Sequence, residues 1–123
     1  MSNSTPVLVV DDSQTMRSII RGHLEGLEYT DIDFAEDGQA ALEKIKQKPY
    51  GLVISDWEMP QMTGEQFVKA VRQQAGYMKV PVIVITTAAV RGTSWLAGAN
   101  AFLRKPFSQA DLRNAIKAAT TSR

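Results

Sequence analysis

Polar side chains that can do chemistry stand at the ends of the apolar runs of this 123-residue sequence. An acidic pair follows the first run, another aspartate closes the third, a threonine closes the fourth and a lysine follows the fifth. In chain order these residues are Asp11, Asp12, Asp56, Thr86 and Lys105. Ligands of open α/β sheets bind beyond the carboxyl ends of the strands, and neighbouring strands lie ~4.8 Å apart. We therefore expect the five side chains to reach one small volume.

Three carboxylates in one small volume repel one another unless a cation lies between them. Oxygen-rich clusters of this kind suit Mg²⁺, which binds a few carboxylates and carbonyls and retains waters. Lys105 and the Thr86 hydroxyl would then be placed to hold the oxygens of a transferring phosphoryl group. Taken singly, each residue has an ordinary structural explanation, such as a turn, a helix cap or strand propensity. Their coincidence at strand ends favours the functional interpretation.

The elements that must position these residues are five apolar runs. Three of them are apolar at nearly every position, which is typical of strands covered on both faces in a parallel sheet. The predicted strands are Val7 to Val10, Asp31 to Ala35, Leu52 to Asp56, Val82 to Thr86 and Ala101 to Arg104.

Helical stripes alternate with the strands. Met16, Ile20, Leu24 and Leu27 recur at three- and four-residue steps and predict the first helix. Side-chain oxygens that can cap a first helical turn precede the stripes at Ser13, Asp37, Thr63 and Ser108. Strand alternating with helix predicts one doubly wound α/β domain over residues 1–123, with a flexible N-terminus at residues 1–5.

Composition narrows the functional classes. The formal net charge of +1 argues against binding to nucleic acid. No apolar run approaches the ~20 residues that cross a bilayer, and the N-terminus does not resemble a secretory signal, so we expect a cytoplasmic protein without membrane insertion. The sequence has no cysteine, which excludes disulfides, thiolate zinc sites and cysteine nucleophiles.

Several motifs together resemble the response regulator receiver domain. They are Leu8-Val-Val-Asp-Asp-Ser13, Ala35-Glu-Asp-Gly38, Asp56-Trp-Glu-Met-Pro60 with Gly64, Thr86-Thr-Ala88 and Lys105-Pro-Phe107. Thr15-Met-Arg17 and Ile54-Ser-Asp-Trp57 are similar to the CheY-type chemotaxis regulators. The resemblance implies a flavodoxin-like five-stranded parallel sheet of order 2-1-3-4-5 with about five helices.

The resemblance also implies roles for the residues at the strand ends. Asp56 matches the residue that accepts a phosphoryl group. Asp11 and Asp12 match the pair that holds Mg²⁺ together with Asp56 and the backbone carbonyl of Glu58. Lys105 matches the lysine that contacts the phosphoryl oxygens.

Further matched positions concern the conformational switch. Thr86 matches the hydroxyl that moves toward the phosphoryl group, and Phe102 matches the aromatic ring that moves in response. Pro106 matches a proline preceded by a cis peptide bond. Such a rearrangement would bias a surface formed by the fourth helix, the fifth strand and the last helix.

The function implied is two-component signal transduction, chemotaxis-like or related. The expected partners are a histidine kinase or phosphotransfer protein and a downstream protein target, with no DNA-binding output domain. We expect a monomer, with a weak dimer as the alternative, that catalyses only its own Mg²⁺-dependent phosphorylation and dephosphorylation. The alternatives are a small phosphatase of the haloacid dehalogenase type and an interaction module of the same fold that is not phosphorylated.

The sequence departs from the chemotaxis-type pattern after the fourth strand. The segment between Thr86 and Ala97 is about three residues short, nearly one helical turn, and Gly92 weakens helix further. We expect the fourth helix to be shortened or irregular, either as a harmless trim or with a changed output face. Beside the pocket, Glu58, Thr87 and Ala88 are predicted to tune the lifetime of the phosphorylated form.

Overall fold

The sheet contains five strands, all parallel to their neighbours, in the order β2-β1-β3-β4-β5. A computed structural model describes residues 3–87 and 98–121. The strands are β1 (Val7–Val10), β2 (Ile32–Ala35), β3 (Leu52–Asp56), β4 (Val82–Thr86) and β5 (Ala101–Arg104). The predicted flavodoxin-like order is confirmed, and the predicted strand bounds differ only at the first residue of β2.

Four helices lie in the described residues: α1 (Gln14–Gly26), α2 (Gly38–Gln47), α3 (Gly64–Arg72) and α4 (Gln109–Thr121). Each of the four predicted caps accepts a hydrogen bond from an amide in the first turn of its helix, from Met16, Ala40, Gln66 and Asp111 respectively. The predicted fourth helix falls on residues 88–97, outside the described residues, so the helix that follows β5 is numbered α4 here.

The sheet carries an apolar core on each face. Alternate strand residues such as Leu8, Val53 and Val84 pack with α2 and α3, and their neighbours such as Val9 and Ile83 pack with α1 and α4. All of β1 and β3 is buried. Strands that are covered on both faces explain why these runs are apolar at nearly every position.

The start of the described chain is tied to the turn before β2. The amide of Asn3 donates to the Glu28 carbonyl at 2.7 Å, and the Asn3 carbonyl accepts from the amide of Thr30 at 3.2 Å. The sequence predicted a flexible segment over residues 1–5. From Asn3 onward this segment is hydrogen-bonded to the body of the domain.

Candidate functional site

Three carboxylates meet where β1 and β3 end. Val10 pairs with Ser55 in the sheet, so the residues that follow, Asp11 and Asp56, come out side by side. Oxygen atoms of Asp11, Asp12 and Asp56 all lie within 4.8 Å of one another. Asp11 is fully buried and Asp56 is 6% exposed, whereas Asp12 is exposed to solvent. The sequence-predicted acidic cluster is therefore a feature of the folded chain.

Asp11 is hydrogen-bonded through its amide, its Oδ1 and its carbonyl, but not through its Oδ2 within the described part of the chain. Its amide donates to the Ala35 carbonyl at 3.0 Å, its Oδ1 accepts from the Ser13 amide at 2.9 Å, and its carbonyl accepts from Arg17 Nη1 at 2.6 Å. Its buried Oδ2 has no hydrogen-bond partner among residues 3–87 and 98–121. A buried carboxylate oxygen without a donor is costly unless a cation meets it. These residues therefore fit a hard divalent ion such as Mg²⁺.

Asp56 lies between opposing electrostatic influences. Burial raises the pKa of its carboxyl, the hydrogen bond from the Glu58 amide lowers it, and the nearby charge of Asp11 raises it again. The Glu58 amide lies 3.2 Å from Asp56 Oδ1. Lys105 Nζ lies 3.6 Å from Asp56 Oδ2 and 3.7 Å from Asp11 Oδ2. One lysine thus faces two of the three clustered carboxylates, near the outer limit of ion-pair distance.

Lys105 and Thr86 are brought to the site by the register of β4 and β5. Thr86 pairs with Arg104, and the Lys105 amide donates to the Thr86 carbonyl at 2.8 Å. Thr86 is 1% exposed, and the Lys105 side chain is mostly buried. The peptide bond between Lys105 and Pro106 is cis, as the resemblance implied.

Phe102 lies farther along β5. It pairs with Val84 and is 36% exposed. Since side chains alternate along a strand, Phe102 and Thr86 project from the same face of the sheet. Phe102 lines an open cleft of about 520 Å³ between β5 and α4, together with Arg104, Pro106 and Asn114 among others.

The loop after β3 closes one side of the site. The Trp57 amide donates to Ile85 and the Trp57 carbonyl accepts from Gly64, which fastens the loop to β4 and to the start of α3. A Cβ on Gly64 would lie 2.7 Å from the Trp57 Cα and 2.8 Å from its carbonyl oxygen. Only glycine allows this approach, which explains why the motif carries a glycine at this distance from Asp56.

Glu58 and Thr87 meet across the mouth of the site. Thr87 Oγ1 donates to Glu58 Oε1 at 3.0 Å. The Glu58 carboxylate is thus bonded to Thr87, whereas the Lys105 ammonium pairs with Asp11 and Asp56. Ala88, the third predicted tuning residue, lies outside the described residues.

Arg17 is the contact that sequence reasoning missed. Its guanidinium reaches back by more than a helical turn to the carbonyl of Asp11. The sequence signal that could have predicted this contact was a cation at the fourth residue of α1. Long helical side chains lean toward the N-terminus of their helix, so such a side chain can reach the residues before the helix.

Comparisons with known proteins agree with this architecture. Residues 7–117 match the family model of the response regulator receiver domain. The chain is 39% identical over 115 residues to chemotaxis protein CheY1 of Helicobacter pylori, covering 90% of this chain and 93% of that protein. Its structure is similar to that of the chemotaxis regulator CheY4 of Vibrio cholerae, with a TM-score of 0.87, 34% identity and coverage of 95% and 99% of the two chains.

A second similar structure is informative about the acidic cleft. The receiver domain of the sensor histidine kinase PA1611 of Pseudomonas aeruginosa matches with a TM-score of 0.86 and 26% identity, covering 98% of this chain and all of that one. That structure has a magnesium ion coordinated in its active-site cleft.

The fold, the acidic cluster and the matches together define the class: the chain belongs to the response regulator receiver family. Within that family it is of the CheY type, a response regulator of two-component signalling. In residues 3–87 and 98–121, no helix has both the length and the apolar character that a membrane span requires.

Proposed function

We propose that the chain accepts a phosphoryl group on Asp56 from a phosphohistidine of a histidine kinase or phosphotransfer protein, and thereby changes its affinity for a downstream protein. One observation carries the proposal. Asp56 shares a mostly buried site with Asp11 and Asp12, and Lys105 Nζ lies 3.6 Å from its Oδ2. This geometry supplies a nucleophilic carboxylate, a cation-binding pair and a fixed positive charge for phosphoryl oxygens.

The proposed reaction is a phosphoryl transfer between two side chains. An Asp56 carboxylate oxygen attacks phosphorus, an O–P bond forms, and the N–P bond to the donor imidazole breaks. The electron pair of that bond stays on the imidazole nitrogen, which takes up a proton. Lys105 stabilises negative charge on the phosphoryl oxygens. Asp11, Asp12, Asp56 and the Glu58 carbonyl would hold Mg²⁺, which when bound offsets the charge of the carboxylates and the phosphoryl group.

Phosphorylation would be read out through Thr86 and Phe102. The added phosphoryl oxygens are strong hydrogen-bond acceptors, so the Thr86 hydroxyl is drawn toward them and vacates space on the face it shares with Phe102. The partly exposed Phe102 ring can then turn inward. The affected surface would comprise β5 and α4, while the predicted fourth helix, its third part, lies outside the described residues. A partner binds differently only to the extent that it distinguishes the two arrangements.

Glu58 and Thr87 are proposed to tune how long the phosphoryl group persists. Their hydrogen bond spans the site between the loop after β3 and the end of β4. A pair at this place could hinder an attacking water or a donor on its way to Asp56. Ala88 would add no polar group that orients water.

We further propose that the chain acts in the cytoplasm as a monomer and signals through protein contacts, without binding nucleic acid or inserting into a membrane. Its only catalysis would be its own phosphorylation and dephosphorylation. The names of similar proteins favour chemotaxis as the setting.

Intact-protein mass spectrometry after incubation with acetyl phosphate and Mg²⁺ tests the proposal. Wild type should gain the mass of one phosphoryl group, which hydroxylamine removes as expected of an acyl phosphate. Asp56→Asn should gain none. Glu36→Gln is the matched control, because Glu36 is an exposed acid directly after β2 at the same edge of the sheet, and this variant should be phosphorylated normally. An unmodified wild-type protein, or steady turnover of a phosphoester, would overturn the assignment.

A further inference from the structure

Arg17 contacts the backbone that joins two of the three clustered aspartates. It lies in the second turn of α1 and is half-buried. Its Nη1 donates to the Asp11 carbonyl oxygen at 2.6 Å. A short hydrogen bond from a charged donor to a carbonyl is among the stronger single contacts in a protein. The carbonyl it holds belongs to the peptide group between Asp11 and Asp12.

The orientation of that peptide group determines where Asp12 points. A peptide unit is planar, so fixing its carbonyl also fixes the direction in which the chain leaves toward the next Cα. The Asp11 side chain has its own restraint in the Ser13 amide. By contrast, Asp12 is exposed, and within residues 3–87 and 98–121 its carboxylate makes no hydrogen bond or ion pair. Its position relative to Asp11 and Asp56 therefore depends on the backbone that carries it.

We propose that Arg17 is a positioning residue for the divalent cation, which acts by fixing the Asp11–Asp12 peptide group and so preorganising Asp12. The inference deepens the proposed function and depends on its Mg²⁺ site. Arg17 itself is not a ligand, because a guanidinium has no electron pair to donate to a metal. Its role is comparable to that of the outer hydrogen-bond partners that orient metal-binding side chains.

The loss of Arg17 should change the Kd for Mg²⁺ in opposite directions, depending on whether Arg17 acts through its charge or by positioning Asp12. A guanidinium close to the acidic cluster repels Mg²⁺, so on charge alone its removal should tighten binding slightly. If Arg17 orders the peptide group, its removal should weaken Mg²⁺ binding. The Asp11–Asp12 peptide group would then have to be ordered when the ion binds, and the cost of that ordering reduces the binding free energy. The direction of the change is therefore diagnostic.

The experiment is a Mg²⁺ titration of full-length wild type, Arg17→Gln, Arg17→Lys and Arg21→Gln, followed by the fluorescence of Trp57, which adjoins Asp56. Arg21 is the matched control, since it lies one turn later on α1, pairs with Glu25 at 3.1 Å and stacks 5.9 Å from the Phe34 ring centroid. We expect Arg17→Gln to raise the Kd for Mg²⁺ about tenfold, at the lower end of what loss of an outer partner costs. Arg21→Gln should match wild type.

Arg17→Lys should fall between wild type and Arg17→Gln, because lysine keeps the charge but not the planar fork. A Kd of Arg17→Gln equal to or below that of wild type would overturn the inference, as would equal weakening in Arg21→Gln. Should Arg17→Gln prove unfolded by urea titration, a Kd of Arg17→Lys equal to that of wild type would overturn it. A wild type that does not respond to Mg²⁺ would instead refute the proposed function itself.

A second readout separates positioning from a direct chemical role. Arg17 is placed away from the reacting atoms, so saturating Mg²⁺ should restore the rate at which acetyl phosphate labels Arg17→Gln to nearly that of wild type. A rate that remains low at saturation would show that Arg17 acts on the transfer step and would overturn the positioning role.

Discussion

At the carboxyl end of the sheet, Asp11 and Asp56 face one lysine, with Lys105 Nζ 3.7 and 3.6 Å away. At the amino end, Asp31 and Asp33 also share one lysine, but Lys48 Nζ lies only 2.8 and 2.9 Å from them. The residue types and their ratio are the same. The distances, the remaining partners and the burial of the side chains differ, since the group at the carboxyl end is the more buried one.

The amino end is hydrogen-bonded throughout. The Tyr50 hydroxyl donates to Asp33 Oδ2 at 2.7 Å, and the Tyr77 hydroxyl both accepts from the Tyr50 amide at 2.8 Å and donates to the Lys48 carbonyl at 3.1 Å. The hydrogen bonds from Tyr50 and from Lys48 lower the pKa of Asp33, and the bond from Tyr50 contributes most. The carboxyl end instead contains an Asp11 oxygen that accepts no hydrogen bond from the described residues and lies 3.7 Å from Lys105 Nζ, and the pKa of Asp56 is raised. Satisfied charges stabilise the fold, whereas unsatisfied ones mark the site where a ligand completes the set.

Replacing Arg72 should have the largest effect in a test of the contrast between the stabilising amino end of the sheet and the candidate site at the carboxyl end. This half-buried arginine at the end of α3 donates to the carbonyls of Tyr77, Val80 and Gly98 and to Asn100 Oδ1. We expect Arg72→Met to lower the free energy of unfolding by about 3 kcal/mol, because it leaves several of these carbonyls without a donor.

Urea unfolding measures the loss in Arg72→Met, and Lys69→Met serves as its control on the same helix. Among residues 3–87 and 98–121, Lys69 forms only an exposed pair with Glu65, so its loss should cost less than about 0.5 kcal/mol. The Kd for Mg²⁺ should stay unchanged in both variants. Equal stability of the two variants would show that the amino end is not the stabilising one.

Asp11→Asn should raise the free energy of unfolding, whereas Arg72→Met should lower it. The amide keeps an oxygen that can accept from Ser13, but it removes a buried charge that repels Asp56 and accepts no hydrogen bond at Oδ2 within the described residues, with Lys105 Nζ standing off at 3.7 Å. In EDTA we expect a gain of about 1 kcal/mol in the free energy of unfolding.

With Mg²⁺ at about a hundred times its Kd, wild type should gain about 2.7 kcal/mol that Asp11→Asn does not. Thermal or urea unfolding with and without Mg²⁺ gives both values. A less stable Asp11→Asn in EDTA would mean that the acidic cluster is balanced without a cation.

Tyr50→Phe tests the amino end of the sheet through the pH dependence of the free energy of unfolding, and it should change that free energy least. At pH 7 the loss of the bond to Asp33 should cost about 1 kcal/mol. Because the pKa of Asp33 is lowered from its ordinary 3.8 in the folded protein, its stabilisation is complete above that value and disappears as pH falls through the folded pKa. The difference between wild type and Tyr50→Phe should therefore narrow below about pH 4. Urea unfolding at several pH values checks this, and a constant difference would contradict it.

Local patterns predicted much of the fold. Unbroken apolar runs predicted the buried strands, and small polar residues before each stripe predicted the caps at Ser13, Asp37, Thr63 and Ser108, because both depend on interactions within a few residues. The bound of β2 was wrong by one residue. Asp31 precedes the strand, pairing with Lys48 and accepting the Val7 amide through its carbonyl, neither of which a local pattern contains.

The sequence predicted which residues form the candidate site, but not the contacts and distances between them. Chain order placed Asp11, Asp12, Asp56, Thr86 and Lys105 at strand ends, and parallel strands bring such ends to one edge. Arg17 was missed as a contact because its partner is a backbone carbonyl, which carries no residue identity in the sequence. The Glu58–Thr87 bond was missed for a related reason: it links residues 29 positions apart on two loops.

By itself, then, the sequence determined which side chains leave the ends of which strands, since apolar periodicity and capping chemistry act over a single element. It singled out Lys105 as the lysine of the site, but it did not give the distance from Lys48 or from Lys105 to the two aspartates that each lysine faces. Only the tertiary structure decided that one lysine is in contact with its carboxylates and the other stands off from them. Charge alone is set by residue type, but the distance between charges is set by how strands and loops pack, and that distance separates a structural ion pair from a site that can bind a ligand.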